Sequence, residues 1–489
     1  MMLVAELLVA LVVSLLIVQF LRQRRILKRF PPGPTPVLFF GNFLSLNFEV
    51  HHETLIQLAK TYGNIFTIWL GGTPVIVLNG YQTIRNALTS HSEELSGRPS
   101  TPLFSDLLGN KGILFSNGNT WKQQRRFGMM TMRNLGLGKR SLEVRIQEIA
   151  QQLLEFLRVE KGKPMDPAKP IANCVANVIS SVVFGHCFQI EDPTFHQLLR
   201  ATFLLANIRK ESWSRLYDAF PFVMRKLPLS QKEVFVQWKL LQEYVKQEIK
   251  THQENLSNEP QDFIDYYLQQ IAQKKEDPFS TYDDENLTQT VADLFLGGTE
   301  TTTITLRWAL LYMANRPDIQ DKVQKELDAV LGDSQVIQYD DRKKMPYTNA
   351  VIHEIQRYCN ITPIGFLRSC IKETTLQGFH IEKGTTVLAN LTSVLFDPEQ
   401  WQTPCQFNPG HFLDKDGNFV SKEAFLPFSA GHRVCFGEQL ARTELFIFLS
   451  SLLRAFIFRP PAGVKKLNEN YIFSSVLHPH PYMVCAVPR

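Results

Sequence analysis

Phe428-Ser429-Ala430-Gly431-His432-Arg433-Val434-Cys435-Phe436-Gly437 stands immediately before a stretch that reads as a helix from Glu438 through Leu440, Leu445 and Phe448. A cysteine at a helix N-terminus meets the positive end of the dipole and exposed amide donors, which favours thiolate. Cys435 is therefore expected to act as a ligand or a nucleophile. Glycine at 431 and 437 lets the backbone turn tightly and come close to a flat partner, and Arg433 can pair with an anionic group such as a carboxylate. Taken singly, a cysteine in a turn is more often buried and inert. Phe428, Gly431, Arg433 and Gly437 stand at fixed spacings around it.

Around this loop lie 489 residues, 44% hydrophobic and 20% charged, with 26 Gly and 27 Pro. That is enough to bury a large core, and the composition is neither that of a disordered nor of a collagen-like chain. The formal charge of +5, from 52 basic and 47 acidic residues, gives no broad nucleic-acid footprint and argues against a DNA or RNA binder. The seven cysteines, at 174, 187, 359, 370, 405, 435 and 485, are irregularly spaced and form no C-x-x-C pair. They suit a reducing compartment rather than a disulfide framework or a structural zinc site.

Residues 1–21 are apolar except for Glu6, Ser14 and Gln19, and as a helix reach about 31 Å, enough to cross a bilayer. Arg22, Arg24, Arg25, Lys28 and Arg29 follow, with no basic residue before the apolar run, so the expected orientation leaves the remainder cytosolic. Pro31-Pro32-Gly33-Pro34-Thr35-Pro36 stops the helix and reads as a stiff hinge. The predicted organisation is a single-pass anchor over 1–21, a basic and proline-rich hinge over 22–36, and a body over 37–489.

In the body, 67–70 and 74–78 around Gly71-Gly72-Thr73 read as a β-hairpin, and helix periodicity dominates from about 121 to 328. Acidic residues open a long helix over 283–315 and Arg316-Pro317 closes it. Short strands are predicted around 374–379, 385–390 and 482–487. The long helix contains Gly297-Gly298-Thr299-Glu300-Thr301, where small residues admit a flat ring and an acid beside a hydroxyl can pass protons. On its own this reads equally well as a packing notch whose hydroxyls bond preceding carbonyls. Glu354-Ile355-Gln356-Arg357 places acid and base three apart on one helical face; in isolation that is a solvated pair of small worth.

Together these segments resemble cytochrome P450. The F-x-x-G-x-R-x-C-x-G loop, the A/G-G-x-D/E-T stretch and the E-x-x-R pair occur in the family's order, and the resemblance covers nearly the whole chain. Pro32-Gly33-Pro34, Trp121-Lys122-Gln123-Gln124-Arg125-Arg126-Phe127 and 297–302 look like its microsomal family 2, and 133–139 and 305–314 most like the J subfamily. The resemblance implies a mainly α fold with small β-sheets, an α-rich and a β-rich lobe around a buried haem b. Cys435 would be the axial ligand of its iron. Trp121, Arg125, Arg98 and Arg368 would hold the haem propionates, and Gly298, Phe428, Gly431, Arg433 and Gly437 would shape its seat. Glu300 and Thr301 would relay protons. Glu354 and Arg357 would have a structural role, with His411 in the partner segment 409–412 where many relatives carry Arg.

The implied substrate pocket comprises Leu103, Phe104, Leu108, Ile113, Leu114 and Phe115, then Leu204, Asp293, Phe295, Ile361, Ile364 and Val476. The implied reaction inserts one oxygen atom of O2 into a lipophilic substrate, either a polyunsaturated fatty acid such as arachidonic acid or a xenobiotic. A carotenoid or other lipid is an alternative substrate, and reductase-independent isomerisation an alternative reaction. No G-x-G-x-x-G follows a strand, so the chain has no sign of its own nicotinamide site and takes electrons from a partner. The resemblance implies NADPH–cytochrome P450 reductase, steered by Lys122, Arg126, Arg133, Lys139 and Arg140, with cytochrome b5 as a second donor. It places the chain in the endoplasmic reticulum membrane. Phe436 departs from the family pattern, where small or aliphatic residues are commoner.

Overall fold

The computed structural model describes residues 2–47, 49–208, 212–227, 231–255, 259–334 and 336–489. The helices are α1 (Met2–Leu27), α2 (His52–Tyr62), α3 (Tyr81–Thr89), α4 (Pro102–Leu108), α5 (Gly118–Asn134), α6 (Arg140–Val159), α7 (Ala168–Val183), α8 (Pro193–Ala206) and α9 (Ser212–Ala219). They continue with α10 (Pro221–Met224), α11 (Gln231–Glu254), α12 (Phe263–Gln273), α13 (Asp284–Asn315), α14 (Pro317–Leu331), α15 (Pro346–Cys359), α16 (Thr392–Leu395) and α17 (Glu438–Ala455). The strands are short: β1 (Ile65–Leu70), β2 (Thr73–Leu78), β3 (Pro164–Met165), β4 (Arg368–Ser369), β5 (Thr374–Leu376), β6 (Phe379–Ile381), β7 (Thr386–Ala389), β8 (Phe456–Arg459), β9 (Tyr471–Ile472), β10 (His478–Pro479) and β11 (Val484–Pro488).

Two compact units result. The first comprises Met1–Pro99, Pro363–Gln400 and Ser429–Val434. Its sheet has the order β1-β2-β7-β4, with β1 and β2 antiparallel and β2 parallel to β7. β1 and β2 form the expected hairpin: Leu70 faces Thr73, and Gly71 turns at φ +62°, a conformation that costs glycine nothing. Phe66, Ile68, Val75 and Val77 alternate onto one face and pack with Leu55 and Leu388. The proline segment expected as a hinge is bound to this sheet. Thr67 N–H donates to the Pro32 carbonyl at 2.9 Å, and a Cβ on Gly33 would lie 1.9 Å from the Thr67 oxygen. The strand expected over 374–379 is two strands, β5 and β6, because Gln377 and Gly378 both adopt positive φ (+48° and +87°) and reverse the chain.

The second unit comprises Ser100–Thr362, Trp401–Phe428 and Cys435–Arg489 and holds most of the helices. α13 is its axis. The Asp283 carboxylate caps it by accepting from Asn286 N–H at 2.6 Å, Leu287, Val291, Leu294 and Phe295 are buried, and Pro317 starts α14 where α13 stops. α7, α8, α11, α15 and α17 pack around it. The sheet β3-β11-β8 closes the carboxyl end.

The α1 backbone is helical over Met2–Leu27, but most side chains of the apolar run 1–21 lie outside the described residues. Among the described residues no helix is long and apolar enough to cross a membrane.

Candidate haem-binding site

The ligand loop is divided by the two units. In the first, residues 429–434 are held from every side. Arg433 Nε donates to the Ser96 carbonyl at 2.7 Å, His432 N–H to Ser92 Oγ at 2.6 Å, and Arg368 to Ser429 Oγ and the Ala430 carbonyl at 3.1 and 3.0 Å. Gly431 has φ +74°, and a Cβ there would sit 1.8 Å from the Leu88 carbonyl oxygen, so only glycine fits. Arg98 donates to the Phe366 and Leu367 carbonyls at 3.1 and 2.9 Å. This unit therefore brings Arg98, Arg368, Gly431 and Arg433 together, with Arg368 and Arg433 buried.

In the second unit, Cys435 N–H donates to the Phe428 carbonyl at 3.0 Å, which closes the base of the loop. Gly437 caps α17, so the helix begins at Glu438, three residues after the cysteine. Arg442, which the sequence reading did not single out, fastens this end. It bonds Glu438 at 2.9 Å and His353 Nε2 at 3.0 Å, and its guanidinium lies 5.0 Å from the Phe428 ring centroid. Trp121 is buried on α5, and Arg125, one turn on, lies near enough to Cys435 to feel its charge.

The thiolate expectation requires correction. Burial pushes the Cys435 thiol up to about 11, outweighing the Gly437 amide hydrogen bond and the nearby Arg125. Desolvation beats the helix terminus here, so the free side chain is a neutral thiol at pH 7. Cys435 is nevertheless exposed by area.

α13 has an accessible stretch in the same unit. Its residues 291–295 and 302–306 are buried, whereas Leu296, Gly297, Gly298, Glu300 and Thr301 are partly or fully exposed, and a Cβ on Gly297 or on Gly437 would meet no atom within 4 Å. Thr301 Oγ1 donates to the Gly297 carbonyl at 2.7 Å, one of five threonines described on this helix that bond a carbonyl four residues back. Glu300 turns instead toward Thr202, whose hydroxyl reaches it at 3.5 Å, and burial pushes its carboxyl up to about 7. Glu444 on α17 was also missed. It is buried, bonds the Thr302 hydroxyl, and is pushed up to about 8 by desolvation.

The residues present fit a haem. The second unit offers the exposed Cys435 at the start of α17 and bare glycine backbone with open space beside it, and each unit taken by itself carries side-chain donors, indole or guanidinium, suited to propionates. The E-x-x-R pair is not solvated: Glu354 and Arg357 are both fully buried and joined through both oxygens at 2.7 and 2.8 Å. Glu354 also accepts from Asn408 N–H and His411 Nδ1, while Arg357 donates to the Pro404 and Gln406 carbonyls.

Of the expected pocket residues, Leu103, Leu108, Ile113, Phe295 and Val476 are buried, and Phe104, Phe115, Leu204 and Ile361 pack at the edge of the same core. Leu114 is half-buried. Ile364 packs in the first unit, against its own core. Asp293 is committed to structure, accepting from the Ile113 and Leu114 amides at 2.7 and 2.9 Å and from Gln289 at 2.8 Å; burial pushes it up to about 6.

The family model of cytochrome P450 matches residues 31–486. Cytochrome P450 2J5 of Mus musculus and cytochrome P450 2J2 of Homo sapiens are each 44% identical over 484 residues, covering 99% of this chain and 96% of theirs. Cytochrome P450 2C8 of Homo sapiens is 40% identical over 463 residues, 94% of each chain. A cysteine loop, a glycine-threonine helix and a buried Glu-Arg clasp, with this likeness over nearly the full length, place the chain in the cytochrome P450 family, haem b monooxygenases whose electrons come from NADPH through a reductase.

Proposed function

We propose that the chain is a monooxygenase of the endoplasmic reticulum membrane that hydroxylates or epoxidises a polyunsaturated fatty acid of the arachidonic acid kind, with apolar xenobiotics as further substrates. The observation that carries the reading is the reachable Cys435 sulfur in the same unit as the opened face of α13. Cys435 ligates the iron; Trp121, Arg125, Arg98 and Arg368 hold the propionates; Gly298, Phe428, Gly431, Arg433 and Gly437 let the ring lie flat. A haem ligated by sulfur supplies, when bound, an electron-rich iron that favours cleavage of dioxygen, as is established for the family.

The chain's own residues do the rest. Glu300, near pKa 7, both holds and gives up a proton at neutral pH, and the Thr301 hydroxyl passes one on by turning from the Gly297 carbonyl. Leu103, Phe104, Leu108, Ile113, Leu114, Phe115, Leu204, Phe295, Ile361 and Val476, all of the second unit, exclude water from an apolar substrate. Asp293 holds the 112–114 loop in place. The apolar run 1–21 followed by basic residues supports a single-pass anchor with residues 37–489 as a cytosolic body. Exposed Phe220, Phe222 and Val223 on and beside α10 support contact with membrane lipid. The basic residues of 122–140 support docking of the reductase, with cytochrome b5 as a second donor. The test is turnover of arachidonic acid with reductase and NADPH. Oxygenated product is expected, and its loss in Cys435→Ser together with the thiolate-type band of the reduced carbonyl complex; a C435S enzyme with an unchanged spectrum refutes the ligand assignment.

A further inference from the structure

Phe436 follows the ligand cysteine, and what it touches is specific. Trp121, Arg125 and Gly128 recur at four and three residues along α5 and so share one stripe. The Phe436 ring meets the last two. The Arg125 guanidinium carbon lies 5.9 Å from its centroid, within cation–π range. A Cβ built on Gly128 would lie 3.0 Å from the ring's Cζ and 3.2 Å from its Cε2, with Ile113 Cδ1 at 3.3 Å on another side. Gly128 is buried inside the helix and has no positive φ to justify it. Glycine there is disfavoured against alanine on helix propensity, so its presence calls for a packing reason. The ring is that reason.

We propose that Phe436 and Gly128 are a matched large-and-small pair that seats α5 against the ligand loop, and that Phe436 is a positioning residue for Arg125 and for the surroundings of Cys435. With the ring in place, α5 approaches closely, the guanidinium is held over an aromatic face, and water is kept from the side of the loop next to the sulfur. A smaller residue at 436 loosens the guanidinium and admits water. Water beside the ligand stabilises the more negative, reduced state of a thiolate-bound iron, which raises its reduction potential. The inference rests on the haem-thiolate reading above.

The test is a double-mutant cycle on the full-length holoenzyme: wild type, Gly128→Ala, Phe436→Leu and the pair together. Each is read by haem per polypeptide, thermal midpoint, the reduced carbonyl spectrum and the iron midpoint potential. G128A alone should lower the melting temperature and convert part of the thiolate-type band to the blue-shifted form. In the F436L background the same alanine should raise the melting temperature, because the ring is gone, Ile113 Cδ1 is the far end of a flexible side chain that can yield a few tenths of an ångström, and helix propensity then decides. F436L alone should keep the thiolate band and shift the potential upward. An alanine at 128 equally harmful in both backgrounds overturns the pairing, and an unmoved potential in F436L overturns the positioning role. Wild type purified without haem would instead sink the underlying reading, and the sign change in melting temperature still decides the pairing.

Discussion

Glu354→Gln replaces one carboxylate oxygen with an amide and leaves size and shape almost unchanged. The oxygens it alters serve four donors: Arg357 Nε and His411 Nδ1 on Oε2, the other Arg357 nitrogen and Asn408 N–H on Oε1. Whichever way the amide is placed, its NH2 faces two N–H groups it cannot bond. Arg357 is left with its charge in a site of 0% exposure. Breaking a buried pair of this kind costs about 3–5 kcal/mol, against about 0.2–0.5 kcal/mol for an exposed pair three residues apart. The two readings of E-x-x-R thus differ by roughly tenfold.

Unfolding entropy of about 2.1 cal/mol/K per residue over the roughly 450 residues matched by the family model makes 1 kcal/mol worth about 1 °C. E354Q should therefore melt about 3–5 °C below wild type, followed by far-UV circular dichroism, and should lose haem at the same temperature. Salt adds a second criterion. The Debye length is about 10 Å at 0.1 M, and a fully buried pair is shielded from it, so the loss should be the same at low and high ionic strength. A change under about 0.5 °C, or one that vanishes in salt, would refute the buried clasp.

Gly431→Ala must accept φ +74° and a Cβ within 1.8 Å of the Leu88 oxygen. Strain of about 1–2 kcal/mol for the backbone and about 1–3 kcal/mol for overpacking should yield protein with little haem, and a haem content equal to wild type would contradict the geometry. Glu444 ionises at about 8 in the folded chain against 4.5 in the unfolded one. Its folded pKa is raised, so its contribution is intact below the unfolded value and declines as pH climbs toward 8, by on the order of 4 kcal/mol in total. Glu444→Gln should therefore melt progressively higher relative to wild type between pH 6 and 9; parallel pH curves for the two proteins would remove the assignment.

What was legible in the sequence is local chemistry. Asp283 and Pro317 bound α13 because caps and prolines act within one turn, and Gly71-Gly72 turns the hairpin for the same reason. The resemblance, carried by spacing and order, also located the cysteine loop, the 297–301 stretch and the Glu-Arg pair. Burial was not legible. Taken in isolation Glu354 and Arg357 read as a surface pair, and only the resemblance gave them a structural role, because nothing within four residues reports that Pro404, Gln406 and Asn408 close over them. Asp293 was placed in the pocket by resemblance, and nothing near it in sequence reports that the amides of 113 and 114, some 180 residues away, hold its carboxylate. Glu444 and Arg442 look like ordinary helix charges until Thr302 and His353 are brought beside them.

The cysteine shows the same division more sharply. Dipole and amide donors are properties of local sequence and were weighed correctly in sign; desolvation is a property of the fold, and here it is the larger. A thiol held neutral to about 11 is a poor nucleophile in its own right, which argues against any reading in which Cys435 attacks a substrate directly. A bound cation reverses that balance, since coordination deprotonates a thiol outright. The loop is thus inert alone and reactive only when loaded, and the binding of the metal must include the release of one proton. Haem uptake by the apoprotein, titrated between pH 6 and 9, should accordingly tighten as pH rises, and a pH-independent affinity would show that no thiol proton is displaced.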